Sequence, residues 1–177
     1  MVFYMLYFTA ELENLTDLQP RGGCDDPSFT YNFKVKCENC GEVSQKATWV
    51  TLSESVPLPT GRGTANLVQK CKLCGRDGTI QMVPGHGQPL TLGQSQSGAT
   101  AGLMVFDCRG FEPVEFSFDD GWKAESTSGT WYDIDLSEGE FVEYDEKGEC
   151  PVGVTNLQSL FKVVKKQERG GGKTVYA

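Results

Sequence analysis

This sequence has a single histidine, no long apolar run and no excess of positive charge. A catalytic zinc usually has three protein ligands, often histidines, and the only histidine is His86, so a hydrolytic metalloenzyme is not predicted. No apolar stretch approaches the roughly 20 residues of a membrane-spanning helix, and the apolar start Met1–Phe8 lacks the basic flank of a signal peptide. Acids outnumber bases by 24 to 16. The resulting pI of about 4.7 argues against nucleic-acid binding.

Four of the seven cysteines form two matching motifs, which we call the hooks. Cys37-Glu-Asn-Cys40-Gly41 and Cys71-Lys-Leu-Cys74-Gly75 are separated by thirty residues. The spacing lets both sulfurs of a hook reach one ion, and the glycine supplies a position that tolerates positive φ. Two such hooks in series predict a zinc ion held tetrahedrally by four thiolates at about 2.3 Å. We therefore expect Cys37, Cys40, Cys71 and Cys74 to bind one structural Zn²⁺.

The remaining cysteines bear on the compartment. Cys24, Cys108 and Cys150 are three in number, which does not suit the paired disulfides of a small secreted protein. We expect a reducing environment, namely the cytoplasm with the nucleus as a second location.

Charge is distributed unevenly along the chain. Residues 34–76, which include both hooks, contain seven bases and three acids, a net charge of +4. Residues 107–149 contain three bases and fourteen acids, a net charge of −11. The first group has two interpretations: it offsets the −2 charge of a Zn(Cys)₄ centre, or it forms a surface for an anionic partner. The acidic part suits a protein partner with a basic face.

The pattern of apolar and turn-forming residues predicts a mostly β chain. Alternating segments such as Phe29–Val35 indicate strands, and each hook lies between strands as in a zinc ribbon. The prediction is a compact β-sandwich or barrel-like domain over residues 1–165. It comprises a first unit, 1–84, with the metal site, a linker, 85–102, and a metal-free second unit, 103–165. The Gly-rich tail, 166–177, is expected to be disordered.

Three pairs of segments indicate an internal duplication. Thr48–Glu54 is similar to Thr130–Glu138, and Tyr7–Ala10 is similar to Val105–Cys108. A third pair is Ala65–Lys70 with Thr155–Ser159. If the repeat is real, two β units pack about a pseudo-two-fold axis and the second has lost its hooks. The alternative is chance similarity among strand-forming segments.

Several blocks of the sequence resemble the eukaryotic CXXC-motif-containing zinc-binding protein family. In family order over about residues 5–164, they are Glu13–Pro20, Phe33–Ser44, Gly61–Cys74, Phe106–Phe116 and Asp133–Lys147. The resemblance implies a compact mostly β fold with one zinc on the four hook cysteines, all of which are present. It implies no activity, because the family is known by its metal site. Cys24, the insert 85–98 and the tail beyond Lys165 lie outside the blocks.

Three functions remain for comparison. The first is a non-enzymatic zinc protein that acts as a protein-interaction or adaptor module. The second is a thiol-redox protein with the plan of a B-type methionine-sulfoxide reductase, in which Cys108 attacks and Arg109 lowers its pKa. Against this alternative, Cys108 lies at the end of an apolar strand, and it lacks the Arg-x-Cys-x-Asn pattern of those enzymes. The third is a zinc-ribbon nucleic-acid binder. The sequence favours the first.

Overall fold

In the structure, a computed structural model that describes all 177 residues, nearly all of the regular secondary structure is β-strand. The strands of the first half are β1 (Val2–Glu13), β2 (Leu15–Pro20), β3 (Tyr31–Cys37), β4 (Thr48–Val50), β5 (Val56–Pro57), β6 (Thr64–Ala65), β7 (Leu67–Lys70) and β8 (Asp77–Val83). A short helix, α1 (Leu92–Gln96), follows. The rest comprises β9 (Ala101–Arg109), β10 (Phe111–Ser117), β11 (Trp122–Ser126), β12 (Trp131–Ile134), β13 (Phe141–Asp145), β14 (Cys150–Val164), β15 (Lys166–Arg169) and β16 (Lys173–Tyr176). No helix has the length and apolarity that a membrane crossing needs.

A curled six-stranded antiparallel sheet is the centre of the fold. Its strand order is β13-β14-β1-β9-β8-β7, and two three-stranded sheets, β10-β3-β4 and β12-β11-β2, accompany it. The mostly β class predicted from the sequence is confirmed. The segment between the hooks includes the small β5–β6 hairpin.

The strand order repeats about a pseudo-two-fold axis between β1 and β9. Exchanging β1 with β9, β2 with β10, β3 with β11, β4 with β12, β7 with β13 and β8 with β14 leaves every pairing of the three large sheets unchanged. Two of the similar segment pairs lie on exchanged strands, β4 with β12 and β1 with β9. The third does not, because Thr155–Ser159 lies in β14 whereas the counterpart of β7 is β13.

One core joins the two halves, and its aromatic contacts follow the same symmetry. Phe8 on β1 packs against Trp122 on β11 with ring centroids 5.5 Å apart, and Phe106 on β9 packs against Tyr31 on β3 at the same 5.5 Å. All four side chains belong to one cluster of 29 buried residues. Because strands from both units are interleaved at the centre of the sheet, the units share this core.

The segment 85–102 is more ordered than the flexible linker that its composition predicts. Thr91 caps α1, its side chain accepting from the Gln94 N–H while the Gln94 side chain accepts from the Thr91 N–H. Leu90 is fully buried and forms a bridge with Leu18 on β2. A capping box and one buried leucine therefore fix a segment that is otherwise rich in Gly, Ser and Gln.

The tail, 166–177, forms a hairpin where the sequence predicts disorder. β15 pairs with β16, and Tyr176 packs edge-on against Phe3 of β1 with ring centroids 5.0 Å apart. Tyr176 also packs against His86 at 4.6 Å and is only 8% exposed. The hairpin thereby covers a small second cluster that includes Met5, Val105 and Val164.

Candidate metal centre

The two hooks have the same backbone geometry. In the first, the Gly41 N–H donates to the Cys37 carbonyl at 2.9 Å, and in the second the Gly75 N–H donates to the Cys71 carbonyl at 2.8 Å. Gly41 and Gly75 have φ of 78° and 77°, a conformation that disfavours residues with a Cβ. The C-x-x-C-G pattern therefore determines a tight turn that points two sulfurs the same way.

The hooks meet although they end strands of different sheets. Cys37 ends β3, whereas Cys71 follows β7 at the edge of the central sheet. The Cys37 and Cys74 sulfurs are 3.7 Å apart, the Cys40 and Cys71 sulfurs are 3.5 Å apart, and all four lie within 4.8 Å of one another.

These distances fit a tetrahedral zinc ion. Four sulfurs at about 2.3 Å from one Zn²⁺ lie about 3.8 Å from each other, close to the spacings of the cluster. Cys37 and Cys71 are buried, whereas Cys40 and Cys74 are exposed. The first cysteine of each hook therefore packs in the core, and the second faces solvent.

Backbone donors favour the thiolate forms that a metal needs. The Arg76 N–H, followed by the Asn39 side chain, lowers the pKa of Cys74 to about 6. The Cys74 N–H, followed by that of Leu73, lowers the pKa of Cys71. At Cys40 the Glu42 N–H also lowers the pKa, but desolvation and the neighbouring sulfurs raise it to about 12. Four crowded thiolates thus need a cation to offset their charge.

The second half holds a hydrogen-bonded cluster at the place equivalent to the hooks. The loops after β11 and β13 correspond to those after β3 and β7, which contain the hooks. Ser126 and Asp145 end β11 and β13, and they are the two buried polar residues of the chain, 2% and 1% exposed. Asp145 accepts from the Ser128 hydroxyl at 2.5 Å and from the Tyr132 hydroxyl at 2.8 Å. Hydrogen bonds therefore join the two loops where the first half brings four sulfurs together.

We predict that Asp145→Asn makes the free energy of unfolding less sensitive to acid. The Ser128 hydroxyl is the main cause that lowers the pKa of Asp145 in the fold. A lowered folded pKa contributes stability above the unfolded value of about 3.9, and this is lost as pH falls through the folded pKa. Urea unfolding measures this. The free energy of unfolding should fall less between pH 7 and pH 4 in the variant than in the wild-type chain. If the free energy of unfolding falls equally in the two chains, and their zinc content is the same, the Asp145 carboxylate does not stabilise the fold in this way.

The other candidate residues lie apart from the cluster. Cys108 is fully buried, and burial, followed by the charge of Asp107, raises the pKa of its thiol. Arg109 does not lower that pKa and instead lies 3.9 Å from Asp107. Burial, followed by the charge of Asp25, also raises the pKa of Cys24 to about 11. Neither thiol has the low pKa of a reactive cysteine.

The comparisons with known proteins agree with this geometry. Residues 5–162 match the family model described as CXXC motif containing zinc binding protein, eukaryotic. The chain belongs to this family. The CXXC motif containing zinc binding protein of Xenopus laevis is 40% identical over 163 residues, which cover 91% of this chain and 98% of the relative. That of Homo sapiens is 40% identical over 158 residues, covering 88% and 95%.

Two solved structures share the fold. The crystal structure of C1orf123 has a TM-score of 0.80 at 38% sequence identity, and the match covers 91% of this chain and 99% of that one. A hypothetical protein from Plasmodium falciparum has a TM-score of 0.77 at 24% identity over 92% of this chain and 100% of the other, and it supports the fold alone. The family resemblance read from the sequence blocks is therefore confirmed.

Sequence reasoning missed the polar cluster of the second half. Ser128, Tyr132 and Asp145 form no recognised motif, and Asp145 lies in an acidic stretch that is typical of a solvated surface. Only the position of Asp145 could have indicated this cluster. The residue ends β13, the strand that corresponds to β7, just before a Glu-Lys-Gly turn.

Proposed function

We propose that the chain is a non-enzymatic zinc protein in which Cys37, Cys40, Cys71 and Cys74 hold one structural Zn²⁺. One observation supports this most directly. The four sulfurs lie within 4.8 Å of one another, and four thiolates complete a tetrahedral shell without an open position for water or substrate. When bound, zinc would join a strand end of the central sheet to one of the flanking sheet.

We further propose that the chain works as a protein-interaction module in the cytoplasm, with the nucleus as a second location. The support is the surface around the hooks. Leu73, within the second hook, is 68% exposed, and Val43, which lines the same cavity, is 38% exposed. Large apolar side chains gathered in the open are typical of interaction sites.

The first experiment is native mass spectrometry of the purified chain before and after mild peroxide. We expect one zinc per chain, retained after treatment, with Cys108 unmodified because its thiol is buried. Early zinc loss with disulfide formation between the hooks, or oxidation of Cys108 alone, would contradict the structural assignment and favour the thiol-redox alternative.

A further inference from the structure

The two halves differ in the loop that follows the first cysteine of the site. In the second half β11 is joined to β12 by the four residues 127–130, whereas in the first half β3 is joined to β4 by the ten residues 38–47. The first hook ends at Gly41, so several residues exceed what either the hook or the strand pairing requires. The second half shows that the same fold closes without them.

The extra residues form one wall of a groove beside the metal centre, which we call the hook groove. Val43–Thr48 line one side, Gln69–Leu73 line the other, and the groove has a volume of about 480 Å³. Val35 and Phe111 are almost fully buried and give it an apolar floor.

The hook groove is basic within an acidic chain. Lys46, Lys70 and Lys72 line it against one acid, Glu42, although the whole chain has a net charge of −8. Lys70 lies 4.0 Å from Asp77, but Lys46 and Lys72 have no ion-pair partner. Two ammonium groups are thus free to meet carboxylates.

A strand edge borders the same groove, because Gln69 and Lys70 at the end of β7 line it. β7 is the last strand of the central sheet and pairs with β8 only. The outer edge of such a strand presents backbone N–H and C=O groups that an extended peptide can pair with, while pockets beside it accept alternate side chains.

We propose that the hook groove binds an extended acidic segment of a protein partner. The segment would add to β7, place carboxylates near Lys46 and Lys72, and set an apolar side chain on Val35 and Phe111. This proposal rests on the interaction role proposed above and names the chemistry of its partner. Because four thiolates with zinc have a net charge of −2, the competing role for these lysines is to offset that charge.

Two peptides of matched pattern test the proposal on the zinc-loaded chain. One is an acetylated and amidated heptamer of alternating Val and Glu, and the other has Lys in place of Glu. In ¹H–¹⁵N spectra we expect the acidic peptide to shift the amides of 43–48 and 69–73 in a saturable way. The lysine peptide should leave them in place. Added salt should weaken the binding, since the ion pairs are exposed.

Charge reversal then separates the two roles of the lysines. Lys46→Glu should lower the affinity for the acidic peptide by about five- to tenfold, since an exposed attraction becomes a repulsion. Its zinc content, measured by native mass spectrometry, should not change. Lys162→Glu, an exposed lysine on β14, is the matched control and should bind as the wild type does.

Three results would overturn the proposal. The first is an absence of shifts, or equal shifts with both peptides. The second is a loss of zinc in Lys46→Glu without a change in peptide affinity, which would assign the lysine to the metal site. The third is concentration-dependent shifts of the groove without peptide, which would make a second copy of the chain its occupant. None of these results argues against the structural zinc if native mass spectrometry still finds one zinc per wild-type chain.

Discussion

Cys37→Ser, or equally Cys71→Ser, should abolish stoichiometric zinc binding and lower the melting temperature more than any other single change to a cysteine. Both residues end strands at buried positions, 1% and 6% exposed, and both belong to the 29-residue core cluster. Binding of a structural zinc contributes roughly 10–16 kcal/mol of apparent free energy in zinc-finger peptides, so a large part of the stability near the hooks should disappear. Zinc content and thermal unfolding of the same samples are the measurements.

The control for this prediction is Cys108→Ser. Cys108 is as buried as Cys37 but lies on β9, outside the four-sulfur cluster, so its replacement should leave one zinc per chain and lower stability only through the buried hydroxyl. A Cys37→Ser chain that keeps one zinc and the wild-type melting temperature would show that the hooks are not the metal site.

The hooks could be predicted because their geometry is local. Within each hook, two cysteines and a glycine specify the turn, and Gly41 and Gly75 take almost the same positive φ. The two hooks come together only in the tertiary fold. Because both contain the same C-x-x-C-G motif, however, one shared metal ion was the simplest prediction. Strand alternation predicted the β class for a similar reason, since burial of one face follows from a period of two.

The order of the linker and of the tail could not be predicted in this way. Composition describes 85–102 and 166–177 as polar and glycine-rich, but a few contacts with distant strands order both segments. Leu90 is held against Leu18, and Tyr176 is held against Phe3. These contacts depend on the positions of β2 and β1, which lie far from the two segments in the sequence.

The pseudo-symmetry places the four-cysteine cluster and a hydrogen-bonded cluster at equivalent positions of the fold. The second half keeps the strand order of the first and joins its equivalent loops through Asp145, Ser128 and Tyr132. The proposed zinc would therefore be one of two ways to fix two loops from different sheets. The first half combines the four cysteines with a longer loop and a groove, which is why we propose the interaction role there.

Trp122→Ala should produce the largest loss of stability outside the metal site, about 3–5 kcal/mol for a buried tryptophan. Trp122 is fully buried and packs against Phe8, Phe29 and Phe118, with ring centroids 5.5, 5.2 and 5.7 Å apart. It therefore connects β11 to the central sheet. A loss of this size is a large share of the 5–15 kcal/mol that stabilises a typical domain. Urea unfolding of the zinc-loaded chain measures it.

Two further variants give this prediction its control. Trp49→Ala removes the same side chain from β4, where it is 70% exposed, and should change the free energy of unfolding by no more than about 0.5 kcal/mol. Trp122→Phe should cost much less than Trp122→Ala. The indole N–H of Trp122 is buried without an acceptor, so phenylalanine keeps an aromatic ring in the core and removes an unpaired donor. Equal losses for Trp122→Ala and Trp49→Ala would mean that the contact between β11 and the central sheet does not hold the second half in place.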